Sequence, residues 1–140
     1  MPGAERYLFD TSAIFALTDQ EEGCERVEGL IRSAAAQKAQ VVICAVSLME
    51  VYYITLQEQD EDAAAYLIAL LKAWPVEWVY PDESTLLLAG RYKAAHRLSF
   101  ADAVIAATAK VQGAVLVRKD PELEALADDL RLEALPHKRS

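Results

Sequence analysis

Residues 99–117 read SFADAVIAATAKVQGAVLV and change from helical to strand character at one glycine, which indicates the fold class. Residues 103–111 are apolar almost all round, which predicts a deeply buried helix. After Gly113, residues 114–117 form a short uninterrupted apolar run of the kind found in strands buried on both faces. A buried helix followed directly by such a strand is typical of an α/β fold with a parallel sheet.

The same alternation of strands and helices extends through the rest of the chain. We predict strands at 6–10, 41–44, 76–80, 114–117 and, at the sheet edge, 131–135. We predict helices at 12–18, 21–37, 47–59, 62–73, 82–97 and 103–111, with a short one at 122–127. The expected fold is a single-domain α/β/α sandwich over residues 1–140, with a mostly parallel central sheet of about five strands. Its core runs from about 6 to 135, and the tail at 136–140 is expected to be loose.

The composition is that of an ordinary globular protein, with 54% hydrophobic and 26% charged residues. The longest uncharged run, 39–49, falls short of the about 18 residues that a membrane span needs. The N-terminus lacks the apolar stretch of a signal peptide, so we expect a cytoplasmic protein. Two cysteines are too few for a disulfide scaffold and lack zinc-site spacing, and Cys44 is predicted to be a small core residue.

The charge balance is acidic, with 14 Lys and Arg against 22 Asp and Glu and a net charge of −8. A protein that bound nucleic acid through charge alone would be basic. Therefore either the partner is not a polyanion, or bound divalent cations bring positive charge to part of the surface.

Several acids stand where the predicted strands end. Asp10 closes the first strand, Glu50 lies at the start of the helix after the second, and Asp120 follows the strand at 114–117. Parallel strands end at one edge of their sheet, where ligands bind, so these three should face the same rim. Asp102 joins them if the buried helix also begins at that rim.

Four carboxylates at one rim would raise one another's pKa unless a counter-charge is present. Hard divalent cations such as Mg²⁺ or Mn²⁺ meet this need, because they take oxygen ligands and retain water that a phosphate can displace. Two such ions can activate a water and stabilise the leaving oxygen in phosphodiester hydrolysis. The pattern therefore predicts a metal site with hydrolytic chemistry.

Each acid also has a structural interpretation. Glu50 and Asp102 both stand three residues after a serine, the spacing of a helix capping box. Asp10 can cap a turn, and Asp120-Pro121 is a common turn start. If capping were their whole role, the chain would be a non-catalytic RNA- or protein-binding module on the same fold. An aspartyl-phosphate phosphatase of the haloacid-dehalogenase type would need a second Asp two residues after Asp10, where Ser12 stands instead.

Four segments, taken in order, resemble the motifs of the PIN domain. They are Asp10-Thr11-Ser12, the segment VSLMEV at 46–51, the segment SFADAVIAATA at 99–109 and the segment LVRKD at 116–120. Length and spacing are similar to the single-domain VapC-type toxins of toxin–antitoxin pairs. The resemblance implies a Mg²⁺- or Mn²⁺-dependent endoribonuclease that acts on RNA, is often homodimeric and is inhibited by a cognate antitoxin.

The resemblance also implies roles for individual residues. The proposed catalytic and metal-binding acids are Asp10, Glu50, Asp102 and Asp120. Ser12 and Ser99 carry over as substrate-binding hydroxyls. Arg118 departs from the family, which often has Thr or Ser there. The predicted contacts to RNA phosphate are Arg118 and Lys119, joined by Arg91, Lys93 and Arg97 near the third motif.

The aromatic residues have a different interpretation. Trp74, Trp78, Tyr66 and Tyr80 are expected in the core or at an interface. Met49, Tyr52, Tyr53 and Leu56 leave the helix at 47–59 apolar on more than one face. Burial explains this pattern, and so does a dimer or antitoxin contact.

Overall fold

The computed structural model describes residues 4–119 and 121–136. Its strands are β1 (Arg6–Phe9), β2 (Gln40–Cys44), β3 (Glu77–Val79), β4 (Val115–Arg118) and β5 (Leu132–Ala134). Its helices are α1 (Thr11–Thr18), α2 (Cys24–Ala35), α3 (Val46–Glu58), α4 (Glu61–Ala73), α5 (Glu83–Ala95) and α6 (Phe100–Gln112), with a 3₁₀ helix at Pro121–Leu126. Within these ranges, no helix has both the length and the apolar character needed to cross a bilayer.

The five strands form one parallel sheet in the order β3-β2-β1-β4-β5, which confirms the predicted fold class. At the centre, Phe9 of β1 aligns with Ile43 of β2 on one side and with Val117 of β4 on the other. The chain adds strands outward on one side of β1 and then returns to add β4 and β5 on the other. The strand order therefore reverses between β1 and β4, and a crevice forms at the carboxyl ends of these two strands.

Helices cover both faces of the sheet, because successive strand residues point to opposite sides. Leu8 and Leu116 pack with α5 and α6 in one hydrophobic cluster. Phe9 and Val117 pack with α1, α2 and α4 in the other. Burial on both faces explains why the strand sequences are apolar runs rather than alternating patterns.

Helix α6 is buried as its sequence predicts, with Ile105 and three of its alanines, Ala106, Ala107 and Ala109, fully inaccessible to solvent. Cys44 lies beside it in the same cluster and is fully buried, as expected of a small core residue. The helix ends at Gly113, whose φ of +62° is a left-handed conformation that glycine adopts without a Cβ clash. That termination turns the chain directly into β4.

Some predicted boundaries differ from the structure. α2 begins at Cys24 rather than at residue 21 and ends at Ala35, and Gln37 beyond it is left-handed with a φ of 62°. The short helix predicted at 122–127 is a 3₁₀ helix. The capping box predicted at Ser47 is wrong, because α3 begins at Val46 behind Ala45 and has no side-chain cap.

Candidate active site

Asp10 lies at the carboxyl end of β1, where the strand order reverses. Its backbone N–H donates to the carbonyl of Val117 at 3.1 Å, which ties it to β4. Its carboxylate caps α1 by accepting from the backbone N–H of Ala13 at 2.8 Å and from the Ser12 hydroxyl at 2.7 Å. The residue is only 2% exposed, so the folded chain holds this carboxylate in a fixed direction.

Glu50 is positioned by the first motif rather than by its own helix. The Thr11 hydroxyl donates to Glu50 Oε1 at 2.5 Å and also contacts the Ser47 hydroxyl at 3.1 Å. Because α3 starts before Ser47, Glu50 lies beyond the first turn and has no capping role. The interpretation of Glu50 as a capping residue is therefore wrong, and its carboxylate faces α1 instead.

Asp102 lies in the first turn of α6, and this helix does begin at the same rim. Ser99 is the N-cap residue, and its hydroxyl accepts from the Asp102 backbone N–H at 3.1 Å. The predicted serine cap is therefore present. Ser99 caps the helix through the backbone N–H of Asp102. The side chain of Asp102 is half-buried at the rim.

One pocket of about 290 Å³, here called the acid pocket, brings these groups together. Its lining includes Asp10, Glu50 and Asp102, with Ser12 and Ser99 beside them. Glu122, at the start of the 3₁₀ helix, adds a further carboxylate. Asp120 lies outside the described residues.

The negative charges in this pocket interact strongly. The pKa of Asp102 is raised to about 7 by its burial, by its hydrogen bond to Glu122 and by the charges of Asp10, Glu122 and Glu50. Burial and the neighbouring acids therefore both favour the protonated form of this carboxyl group.

The donor chemistry of the pocket fits a hard divalent cation. The candidate ligands are carboxylate and hydroxyl oxygens, which Mg²⁺ and Mn²⁺ prefer, and an ion would offset the negative charges that contribute to the raised pKa of Asp102. Within residues 4–119 and 121–136, no three His, Cys, Asp or Glu side chains already stand in coordinating positions. The acids therefore share a pocket without forming a finished coordination sphere.

Two contributors to the site were missed from the sequence. Thr11 follows the first acid, and its position gives no sign that its hydroxyl reaches Glu50, 39 residues away. The sequence pattern places Glu122 in a short helix. Its position just after the fourth motif is the signal that marks it as a candidate pocket acid. Both contacts depend on the tertiary arrangement.

The predicted phosphate contacts divide into two groups. The prediction that Arg118 contacts RNA phosphate is wrong, because the residue is only 3% exposed and its guanidinium pairs with Glu124. The Lys119 side chain is mostly buried and its ammonium lies 3.2 Å from Glu21 Oε1, while its backbone N–H donates to the Ser12 hydroxyl at 2.9 Å. Arg91, Lys93 and Arg97 are exposed.

Solved structures that share this fold include toxin–antitoxin complexes. VapBC2 of Rickettsia felis bound to a promoter DNA fragment matches with a TM-score of 0.75 at 15% identity, covering 94% of this chain and 99% of that chain. DNA-bound VapBC of Salmonella typhimurium matches with a TM-score of 0.73 at 18% identity, covering 93% and 98%. VapC20 of Mycobacterium tuberculosis, described as a sarcin-ricin loop cleaving toxin, matches with a TM-score of 0.69 at 19% identity, covering 93% and 99%.

These likenesses are at low identity and show a shared fold. No curated protein matches the sequence significantly. The sequence model of the PIN domain, however, matches residues 7–129, which is most of the chain and includes every described acid of the pocket. The protein therefore belongs to the PIN domain family.

Proposed function

We propose that this protein is a metal-dependent endoribonuclease and the toxin of a toxin–antitoxin pair. The observation that carries the proposal is the convergence of Asp10, Glu50 and Asp102 on one pocket at the reversal point of the sheet. Membership of the PIN family and the shared fold with VapC20, a toxin that cleaves the sarcin-ricin loop, support the same activity.

In this proposal Asp10, Glu50 and Asp102 hold Mg²⁺ or Mn²⁺, with Glu122 as a further ligand and Asp120 retained from the motif. A bound ion supplies Lewis acidity and lowers the pKa of a water molecule that attacks the phosphodiester. The chain positions the carboxylates: the Ser12 hydroxyl donates to Asp10 and the Thr11 hydroxyl to Glu50. The expected products carry 5′-phosphate and 3′-hydroxyl ends.

The alternative, a binding module whose acids only cap helices, has one observation in its favour, since Asp10 does cap α1. Glu50 has no such role, and the carboxyl group of Asp102 is crowded by other acids. Capping explains one of the three, whereas a metal site explains why all three share a pocket.

Cleavage of RNA in Mg²⁺ or Mn²⁺, with and without chelator, tests the proposal. We expect Asp10→Asn to reduce kcat by about a hundredfold or more, because it removes an anionic ligand from the site. Asp60→Asn is the matched control, since Asp60 caps α4 with the same hydrogen bond, 2.8 Å from the Ala63 N–H, away from the pocket. Cleavage that is unchanged in Asp10→Asn, or unaffected by chelator, would contradict the assignment.

We further propose that a protein partner of the antitoxin kind covers an apolar surface on α3, and that the chain also forms a homodimer. The surface, here called the α3 stripe, consists of Met49, Tyr52, Tyr53 and Leu56. These side chains follow helical spacing on one face and are 38–59% exposed, whereas Ser47, Val51 and Thr55 face the interior. An apolar face of this kind in water favours a protein interface over burial within the chain.

A further inference from the structure

Phe100 leaves an aromatic ring in solvent at the edge of the candidate active site. It is 79% exposed, the highest value among the large apolar side chains of residues 4–119 and 121–136. It is the first residue of α6, between Ser99 and Asp102, which both line the acid pocket. A single exposed ring is common on protein surfaces, so a ligand is indicated only by what lies around Phe100.

Phe100 also lines a second, apolar cavity. The α5–α6 groove has a volume of about 370 Å³, within the range of ligand pockets. Its lining combines Phe100 with small residues that leave space between the helices: Ala89, Gly90, Ala94 and Ala103. Phe100 therefore borders the groove while its neighbours in the chain border the acid pocket.

The ammonium group of Lys93 lies over the ring of Phe100. The Lys93 ammonium lies 5.4 Å from the centroid of Phe100, within the distance of a cation–π contact, and Lys93 also lines the groove. Within residues 4–119 and 121–136, no salt bridge joins Lys93 or Arg97 to a carboxylate, and both side chains are exposed. In a chain of net charge −8, an exposed lysine at the groove that Phe100 borders favours an anionic ligand there.

We propose that Phe100 and Lys93 form a stacking platform for one unpaired base of an RNA strand whose neighbouring phosphate lies at the acid pocket. The inference rests on the proposed nuclease function and adds a subsite for a nucleotide next to the cleaved bond. An aromatic face binds any base by stacking, and a nearby cation contacts the adjoining phosphate. Bases in a duplex are already stacked, so the platform selects unpaired nucleotides rather than a particular sequence.

RNA binding in an Asp10→Asn background, which keeps the strand intact, tests the platform. Fluorescence anisotropy with labelled single-stranded oligouridylate and oligoadenylate measures Kd. We expect Phe100→Ala to weaken binding of both strands about tenfold and Phe100→Trp to preserve it. The matched control is Val111→Ala, because Val111 lies near the other end of α6 and is 51% exposed. In the parent protein, Phe100→Ala should raise KM for RNA cleavage and leave kcat little altered.

Strands that carry abasic residues separate stacking from a general loss of affinity. If the ring stacks a base, Phe100→Ala weakens binding of the normal strand but causes no further loss on the abasic strand. Gly90→Leu is a second variant that fills the groove without removing the ring. A Cβ at Gly90 meets no atom within 4 Å, so a side chain can begin at this position without contact with the backbone. We expect it to weaken RNA binding as well.

The outcomes distinguish failure of this inference from failure of the proposed function. RNA affinity and KM that are equal in Phe100→Ala and Val111→Ala would overturn the platform and leave the nuclease intact. A change in sedimentation without a change in RNA affinity would also overturn it, because the ring would then belong to a protein interface. An equal loss on normal and abasic strands would overturn the stacking role. A parent protein that neither binds nor cleaves RNA would contradict the nuclease itself.

Discussion

At the scale of single residues, the three described motif acids are held in place in three different ways. Asp10 is fixed by a backbone N–H and a neighbouring hydroxyl, both within its own turn. Glu50 is fixed across the fold by Thr11. Asp102 is half-buried among other acids, and its burial and then their proximity raise its pKa. Groups that are positioned before a ligand binds lose little freedom when it does.

The raised pKa of Asp102 predicts how stability changes with pH when metal is removed. Between about pH 4 and pH 7 the unfolded chain loses this proton while the folded chain keeps it. The free energy of unfolding therefore falls as pH rises through this window, and the contribution levels off above pH 7. In EDTA at pH 7.5, Asp102→Asn should be more stable than the parent by about 1–2 kcal/mol, after allowance for solvent screening.

Denaturant unfolding across pH measures this difference. Asp60→Asn is again the control, because asparagine caps a helix as well as aspartate, and its stability should stay within about 0.5 kcal/mol of the parent. Mg²⁺ or Mn²⁺ should stabilise the parent more than Asp102→Asn, since an ion that binds the folded state raises its stability. If Asp102→Asn were less stable than the parent in EDTA, the carboxyl group would be acting as a cap.

At the scale of helices and strands, the glycines show where backbone conformation matters. Gly113 has a φ of +62° at the end of α6, whereas Gly29 lies inside α2 with ordinary helical geometry. A Cβ would meet no atom within 4 Å at either position. Space is therefore equal at the two sites, and only the backbone conformation differs.

Alanine at these two glycines should have opposite effects on stability. Gly29→Ala should raise the free energy of unfolding by about 0.5–1 kcal/mol, because alanine loses less conformational freedom in a helix. Gly113→Ala should lower it by about 1–2 kcal/mol, because a Cβ is strained in the left-handed region. Chemical denaturation measures both, and a stabilising Gly113→Ala would contradict the termination of α6 described here.

At the scale of the whole molecule, strand order and charge act together. The reversal between β1 and β4 opens the crevice, and the helices that start at that edge bring acids from distant parts of the chain into it. The net charge of −8 is thus partly concentrated where a cation would be bound. The α3 stripe lies on the same helix as Glu50, so a partner bound there would lie close to the site.

Charge introduced into the α3 stripe should weaken protein association without unfolding the chain. We expect Tyr53→Glu combined with Leu56→Glu to weaken self-association or binding of a cognate antitoxin by at least tenfold, because buried unpaired carboxylates are unfavourable at an interface. Sedimentation velocity measures the association. Leu87→Glu, on α5 and 64% exposed in the parent, is the control. Equal association in both variants would place the interface elsewhere.

Much of the fold follows from local sequence. Apolar runs such as 41–44 and 114–117 predict strands buried on both faces, and Gly113 predicts the end of α6, because these signals act within a few residues. Prediction from the sequence was wrong where a local pattern competed with packing. Ser47 has the spacing of a cap, but α3 starts earlier and its hydroxyl contacts Thr11 instead.

The sequence alone thus determined the order of elements, the parallel sheet and the candidate acids Asp10, Glu50 and Asp102. Three features could be seen only in the folded chain: Arg118 is buried and paired with Glu124, Glu122 joins the acid pocket, and Phe100 stays in solvent. The difference lies in how far apart along the chain the interacting residues are. Helix caps, turns and hydrophobic periodicity depend on neighbours in the chain, whereas the partner of a charge and the exposure of a ring depend on residues that only folding brings near.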